Sequence, residues 1–250
     1  MSNTNTARET PRTPASDSIA PDAYESVALI DVGCLFRKNF HAMPNAEPLA
    51  AAQVTLAELA GIRESVEHCI ICWDAPPYRR SEVYPEYKLT REKPPQELLA
   101  QRKWLENEIA AQHYKVAKVA GYEADDILAT LASSIGVWCP DVRLITSDKD
   151  AAQLVTETVR MYVPAVGSRL PEVRGPAEVL AKFGVAPADM PLWLALVGDT
   201  SDNVPGVPGV GPKRAAQLIA QCKTLQGIAE AIATIDEGEK PGTMWLSLAK

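Results

Sequence analysis

Four aspartates stand at or just past the ends of apolar runs. Asp31 closes VALI, Asp74 follows CIICW, and Asp148 and Asp150 follow RLIT within TSDKD. Two further acidic groups open helical patterns. Glu123, Asp125 and Asp126 lie in GYEADDILATLA, and Asp199 and Asp202 lie in LVGDTSDN. Glu123 and Asp126, like Asp199 and Asp202, are three residues apart and can share a helix face. A lone aspartate in such a place serves as a helix cap or turn residue. Repetition at three strand ends points instead to one ligand edge, because open parallel sheets bind ligands beyond the carboxyl ends of their strands. Gathered carboxylates repel unless cations neutralise them, and all-oxygen donors select hard ions such as Mg²⁺ or Mn²⁺. Two such ions ~4 Å apart suit in-line displacement at phosphorus.

Two other segments could hold a polyanion. VPGVPGVGPKR, Val204–Arg214, leads into the apolar-periodic stretch AAQLIA. Gly209 and Gly211 allow close backbone approach, Pro212 suits a first helical position, and Lys213 and Arg214 add charge. The pattern is not a Walker loop; it fits a helix-hairpin-helix seat for a nucleic-acid backbone, read without regard to sequence. Residues 78–93, YRRSEVYPEYKLTREK, interleave Arg79, Arg80, Lys88, Arg91 and Lys93 with Tyr78, Tyr84 and Tyr87. Bases among aromatics suit a single-stranded backbone and base stacking.

The elements that must position these residues read as an α/β body. Strands are expected at Val27–Asp31, Cys69–Trp73, Val116–Val119, Val142–Thr146 and Val159–Val163, with helices over Leu49–Ile62, Gln96–Gln112 and Ala124–Ile135 between them. That alternation implies a mostly parallel sheet flanked by helices. After Pro164 the pattern turns helical, at Pro176–Phe183, Ala188–Val197, Pro212–Gln221 and Leu225–Ile235. The organisation expected is a polar, Pro-containing disordered tail at 1–24, a catalytic α/β domain at 25–165 and a helical subdomain at 166–250.

The 250 residues carry a net charge of −7, which disfavours a general polyanion-coating protein but not one whose acids face metal ions. No apolar run approaches the ~20 residues of a membrane span. Five cysteines form no disulfide framework, and a reducing, cytoplasmic setting is expected. Cys69 and Cys72 read as core thiols, and His41, His68 and His113 show no ligand spacing.

In order, ALIDVG, CWDA, YK-x-x-R, GYEADDILATLA, ITSDKDAAQLV and LVGDTSDNVPGVPGVGPKRAAQLI resemble the 5′ nuclease family. That family comprises the 5′–3′ exonuclease domain of bacterial DNA polymerase I, the phage 5′–3′ exonucleases and the related flap endonucleases. The resemblance spans about residues 26–235. It implies a PIN-like α/β fold with a helical arch and a helix-hairpin-helix variant that binds duplex DNA with K⁺. It further implies one metal site at Asp31, Asp74, Glu123, Asp125 and Asp126, and a second at Asp148, Asp150, Asp199 and Asp202. Lys88 and Arg91 match the basic pair at the arch base that contacts the scissile phosphate, Tyr87 a neighbouring tyrosine, and Gly209 and Gly211 the hairpin glycines. Arg79, Arg80, Lys213 and Arg214 are expected DNA contacts.

The implied protein is a monomeric bacterial or phage-encoded enzyme acting on DNA with a 5′ end, flap or branch, or on an RNA primer in an RNA–DNA hybrid. This chain differs from the pattern in its added tail and in an arch segment interrupted by Pro85, Pro94 and Pro95. It also ends about 30 residues past the hairpin helix, as a truncated or short phage-type form would. A non-catalytic branched-DNA-binding module and a PIN-type ribonuclease are the rival readings.

Overall fold

The computed structural model describes residues 24–44, 46–165 and 170–233. Nearly all of the expected tail, residues 1–23, lies outside them, as do the last residues of the expected Leu225–Ile235 helix and everything after. Strands β1 (Val27–Asp31), β2 (His68–Trp73), β3 (Lys115–Lys118), β4 (Val142–Ile145), β5 (Val159–Val163) and β6 (Glu172–Arg174) form one sheet in the order β3-β2-β1-β4-β5-β6. All neighbours are parallel except β5 and β6.

Alternation along β1 explains the layering. Val27 and Leu29 point to one face, Ala28 and Ile30 to the other, and all four are buried. The second face is covered by α1 (Val32–Ala42), α2 (Ala50–Glu64) and α4 (Gln96–Ala111), through Leu35, Phe36, Leu59, Leu105 and Ile109. The first is covered by α5 (Ala124–Ile135), and the same apolar core continues into α6 (Pro176–Phe183), α7 (Met190–Val197), α8 (Pro212–Cys222) and α9 (Leu225–Ala233). A short helix, α3 (Arg80–Val83), stands in the basic segment. Burial on both faces is why β1, β2 and β4 read as near-continuous apolar runs.

Several details depart from the sequence reading; among them, the Asp199–Asp202 pair lies in a turn and does not open a helix. Helix α1 follows β1 with no intervening turn and is not among the expected helices. Strand β3 starts one residue earlier than expected; it is an exposed edge paired only to β2, where apolar content says little about register. Strand β6 is three polar-flanked residues on the opposite edge and has no apolar signature. A 3₁₀ turn, Pro187–Asp189, replaces the first turn expected of α7. Among the described residues no single helix is long and apolar enough to cross a membrane.

The chain runs from β1 outward to β2 and β3, then crosses back to β4 on the other side of β1. The reversal opens a crevice beyond the ends of β1 and β4. The sheet core sets its rigidity. Leu29, 0% exposed on β1, should lose about 2–5 kcal/mol on truncation to alanine. The control Leu170→Ala, at a side chain 85% exposed, should stay within about 0.5 kcal/mol. Urea unfolding of both variants checks this; equal effects would contradict the assigned core.

Candidate active site

Asp31 ends β1 and is only 4% exposed. Its Oδ1 accepts the Cys34 N–H at 2.8 Å, so the residue that ends the strand also caps α1. Thr146, just past β4, places its hydroxyl 3.4 Å from the other oxygen. Burial raises the Asp31 carboxyl to about 6; the Cys34 N–H and Arg37 oppose the rise, while Asp74 and Asp148 add to it. Asp74 follows β2. Its Oδ1 accepts the N–H of Ala124, the first residue of α5, at 2.9 Å, and its Oδ2 lies 3.6 Å from Arg37 Nη1.

The N-terminus of α5 brings the next three acids. Asp126 Oδ2 accepts the Glu123 N–H at 2.9 Å, tying the helix start. Glu123 is buried. Asp125 Oδ1 is buried without a hydrogen-bond partner. Desolvation, with Asp31, Asp148, Asp74 and Glu123 nearby, raises Asp125 to about 8. Its carboxyl therefore senses acids delivered by all three strand ends.

The remaining acids come from two turns. Asp148 Oδ1 accepts the Asp150 N–H at 3.0 Å and caps the 3₁₀ turn Lys149–Leu154. Asp150 Oδ1 is buried and unpartnered, and burial with Asp148 beside it raises the group to about 6. Asp199 and Asp202 lie in the loop after α7, where Gly198 (φ +75°) turns the chain and Gly206 packs against the backbone of Val197 and Gly198 too closely for a Cβ. Backbone hydrogen bonds between Asp199 and Val204, both 2.8 Å, close the loop. Asp199 is pulled down to about 2: burial works against this, but Lys149 and Ser201 outweigh it.

The basic segment lies directly over these acids. Arg80 pairs with Glu123 and holds Asp126 through two N–H groups, one of them at 2.7 Å. Lys88 pairs with Glu123, and its Nζ stands 3.8 Å from Asp202. Arg91 pairs with Asp202 and donates from Nε to Ser201 O at 3.0 Å. The Tyr87 hydroxyl oxygen is 2.6 Å from Glu123 Oε2 and 2.9 Å from Asp202 Oδ2, so one proton serves two carboxylates from different segments. Burial first, then these carboxylates, raises its pKa far above the tyrosine range. Backbone contacts fix the segment: Lys88 N–H donates to Asp202 O, and the Tyr84 hydroxyl to Asn203 O, both at 2.9 Å.

Between this segment, α5, the 3₁₀ turn and the 198–204 loop lies a cavity of about 740 Å³. Arg79, Arg80, Tyr87, Asp125, Asp150 and Asp202 are among the side chains lining it. Arg79 also donates to the Tyr122 hydroxyl at 2.9 Å. All nine sequence-predicted acids thus surround one edge. They do not close on common points: among the described residues, no three Asp, Glu, His or Cys side chains are set to hold an ion as they stand. Basic side chains lie between them instead.

Residues 209–214 of the hairpin do not line the cavity. Gly209 takes φ +78°, Arg214 Nη1 donates to Gly209 O at 2.7 Å, and Gly211 caps α8 facing open space, with Lys213 exposed beside it. The sequence reading missed Arg37 and Lys149. Arg37 sits on the helix that went unread, although Val32, Leu35 and Phe36 already showed helical spacing. Lys149 lies inside TSDKD, where a base between two acids was itself the signal.

The raised Asp125 value carries a stability consequence. The folded chain penalises its ionised form, so this contribution is favourable below the unfolded value of 3.8 and is lost as pH rises through about 8. In EDTA at pH 8, Asp125→Asn should therefore raise the melting temperature by roughly 2–6 °C, a gain that vanishes near pH 4. An unchanged or lower melting temperature at pH 8 would contradict the assigned burial.

Known proteins share this architecture. Residues 26–184 match the family model described as 5′-3′ exonuclease, N-terminal resolvase-like domain, and residues 185–244 match 5′-3′ exonuclease, C-terminal SAM fold. DNA polymerase I of Borreliella burgdorferi is 33% identical over 219 residues, 84% of this chain and 24% of that protein. The 5′-3′ exonuclease of Aquifex aeolicus is 35% identical over 66% of this chain and 56% of its own length. The chain thus spans about a quarter of the first relative and just over half of the second. The bacteriophage T5 flap endonuclease, solved with DNA and metal ions, superposes with a TM-score of 0.72 at 22% identity, covering 89% of this chain and 83% of that one. At that identity the likeness is one of fold. With both family models matched in order along the sequence, this chain belongs to the 5′-3′ exonuclease family.

Proposed function

We propose that the chain hydrolyses DNA phosphodiester bonds close to a 5′ end, as a divalent-metal-dependent 5′–3′ exonuclease and 5′-flap endonuclease. The observation that carries this reading is the meeting of nine carboxylates, from three strand ends and two helix termini, beneath a basic segment at the switch point of a parallel sheet. The donor set is all oxygen, and a buried, unpartnered carboxylate oxygen lies in each group, on Asp125 and on Asp150. Both features fit a hard divalent cation, Mg²⁺ or Mn²⁺. Asp31, Asp74, Glu123, Asp125 and Asp126 would hold one ion, and Asp148, Asp150, Asp199 and Asp202 a second. Bound there, the ions would supply an activated water and stabilisation of the leaving oxygen in an in-line displacement.

The chain's own side chains position the substrate. Lys88 and Arg91, held over the acids by Glu123 and Asp202, are within reach of a phosphate drawn to that edge, and a cation there stabilises the charge that grows in the transition state. Arg91 can grip phosphate through two N–H groups, which a lysine cannot copy. Arg79, Arg80 and Tyr87 line the cavity beside them and suit an unpaired strand. Gly209, Gly211, Lys213 and Arg214 offer a sequence-independent seat for duplex backbone, which K⁺ would complete. The proposal extends to a monomeric, cytoplasmic protein of a bacterium or its phage, and to RNA primers in RNA–DNA hybrids as a further substrate. The two matched family models and the Aquifex aeolicus 5′-3′ exonuclease support the polarity, and the shared fold of the T5 enzyme, solved with DNA and metal ions, supports the ligand.

The test is cleavage of a 5′-labelled flap duplex with product lengths mapped. Wild type should cut in Mg²⁺ and not in EDTA. Asp148→Asn and Arg91→Ala should each slow single-turnover cleavage by roughly 10²-fold or more, with duplex affinity little changed. Binding without cleavage would favour a branched-DNA-binding module, and preference for an all-RNA substrate a PIN-type ribonuclease; either result overturns the proposal.

A further inference from the structure

The second acidic group already contains a cation of its own. Lys149 projects from the 3₁₀ turn between Asp148 and Asp150 and crosses to the loop after α7, where its Nζ lies 2.7 Å from Asp199 Oδ2. The other Asp199 oxygen accepts from Ser201 twice, from N–H at 2.8 Å and from the hydroxyl at 2.6 Å. Both oxygens of Asp199 are therefore engaged, whereas Asp150 keeps a buried oxygen with no partner.

Lys149 contrasts with the bases of the overlying segment. Arg80, Lys88 and Arg91 come from a segment that sits above the acids and faces the cavity from outside. Lys149 is anchored within the acidic group, on the same turn as two of its carboxylates. A cation binding to Asp199 must displace the ammonium from Oδ2 or share that oxygen with it, and in either case tolerate a positive charge next to it. Affinity for divalent ions follows the net ligand charge of a site, so one fixed ammonium among four carboxylates lowers it.

We propose that Lys149 is a positioning residue, the internal counter-ion of the Asp148–Asp150–Asp199–Asp202 group, which competes with a divalent cation for Asp199 and weakens its binding there. The inference rests on the functional reading above. Its effect is to keep the ion at this group exchangeable. A merely structural tie between the turn and the loop predicts the opposite sign: cutting it would loosen Asp199 and weaken metal binding.

The experiment is calorimetric titration of the full chain with Mn²⁺ alone, without DNA, for wild type, Lys149→Met, Lys149→Gln and Lys149→Arg. Circular dichroism confirms the fold of each, and the glutamine variant stands in if the methionine variant does not fold. The uncharged variants should bind the weaker of the ions at least threefold more tightly, and the arginine variant, which restores the charge, should stay within twofold of wild type. Unchanged or weaker binding in the uncharged variants, or equal tightening in the arginine variant, overturns the inference. Failure of the wild type to bind any Mn²⁺ removes the functional reading and this inference with it. Binding by the wild type without the shift removes this inference alone.

Discussion

Carboxylates crowded at the end of one sheet repel one another, and much of this structure is arranged to answer that repulsion. Asp31, Asp125 and Asp150 all sit above the ordinary aspartate range, with burial the largest cause and neighbouring acids adding to it. The fold supplies compensation from every side. The first N–H of α5 faces Asp74, and the N–H of Cys34 faces Asp31. Arg37 reaches in from α1, Lys149 from the 3₁₀ turn, and Arg80, Lys88 and Arg91 from the segment above. Each of these bases also fixes a piece of chain. The 84–91 segment is seated over the cavity because its cations, the Tyr87 hydroxyl and its backbone all converge on the 199–203 loop.

This crowding also separates stability from function. The sheet and its two apolar layers make the fold rigid up to the last strand residues, and the polar edge begins there. Asp31 stands on that boundary: its backbone completes β1 in register with Cys72, while its side chain caps a helix and faces the crevice. Acids at such a place lower the stability of the chain on its own. Residues 209–214 of the hairpin do not line the crevice.

The buried strands and most of the long helices were legible in the sequence because burial on both sheet faces writes continuous apolar runs. The acids were legible because they recur where such runs end. What escaped was governed by continuity or by distance in the chain. Helix α1 starts on the residue after β1, and with the Asp31 cap no turn signal separates the two. Strand β6 is held by pairing to β5 rather than by its own composition. The pairing of Arg80 with Asp126, across 46 positions, and of Lys149 with Asp199, across 50, depends on tertiary placement that spacing cannot give. The same holds for Tyr87, whose contacts with Glu123 and Asp202 join segments 36 and 115 positions away.

The central claim is that the acidic edge is destabilising by itself and is neutralised by a divalent cation bound to particular carboxylates. Thermal unfolding of the chain against MgCl₂, with NaCl at matched ionic strength as reference, tests it most directly. A cation bound only by the folded state raises the midpoint as its concentration passes the dissociation constant. The account predicts a midpoint several degrees higher in millimolar Mg²⁺ than in matched NaCl, with the difference lost in an Asp125→Asn, Asp150→Asn double variant. Equal midpoints in the two salts, or an undiminished Mg²⁺ effect in the double variant, would contradict it.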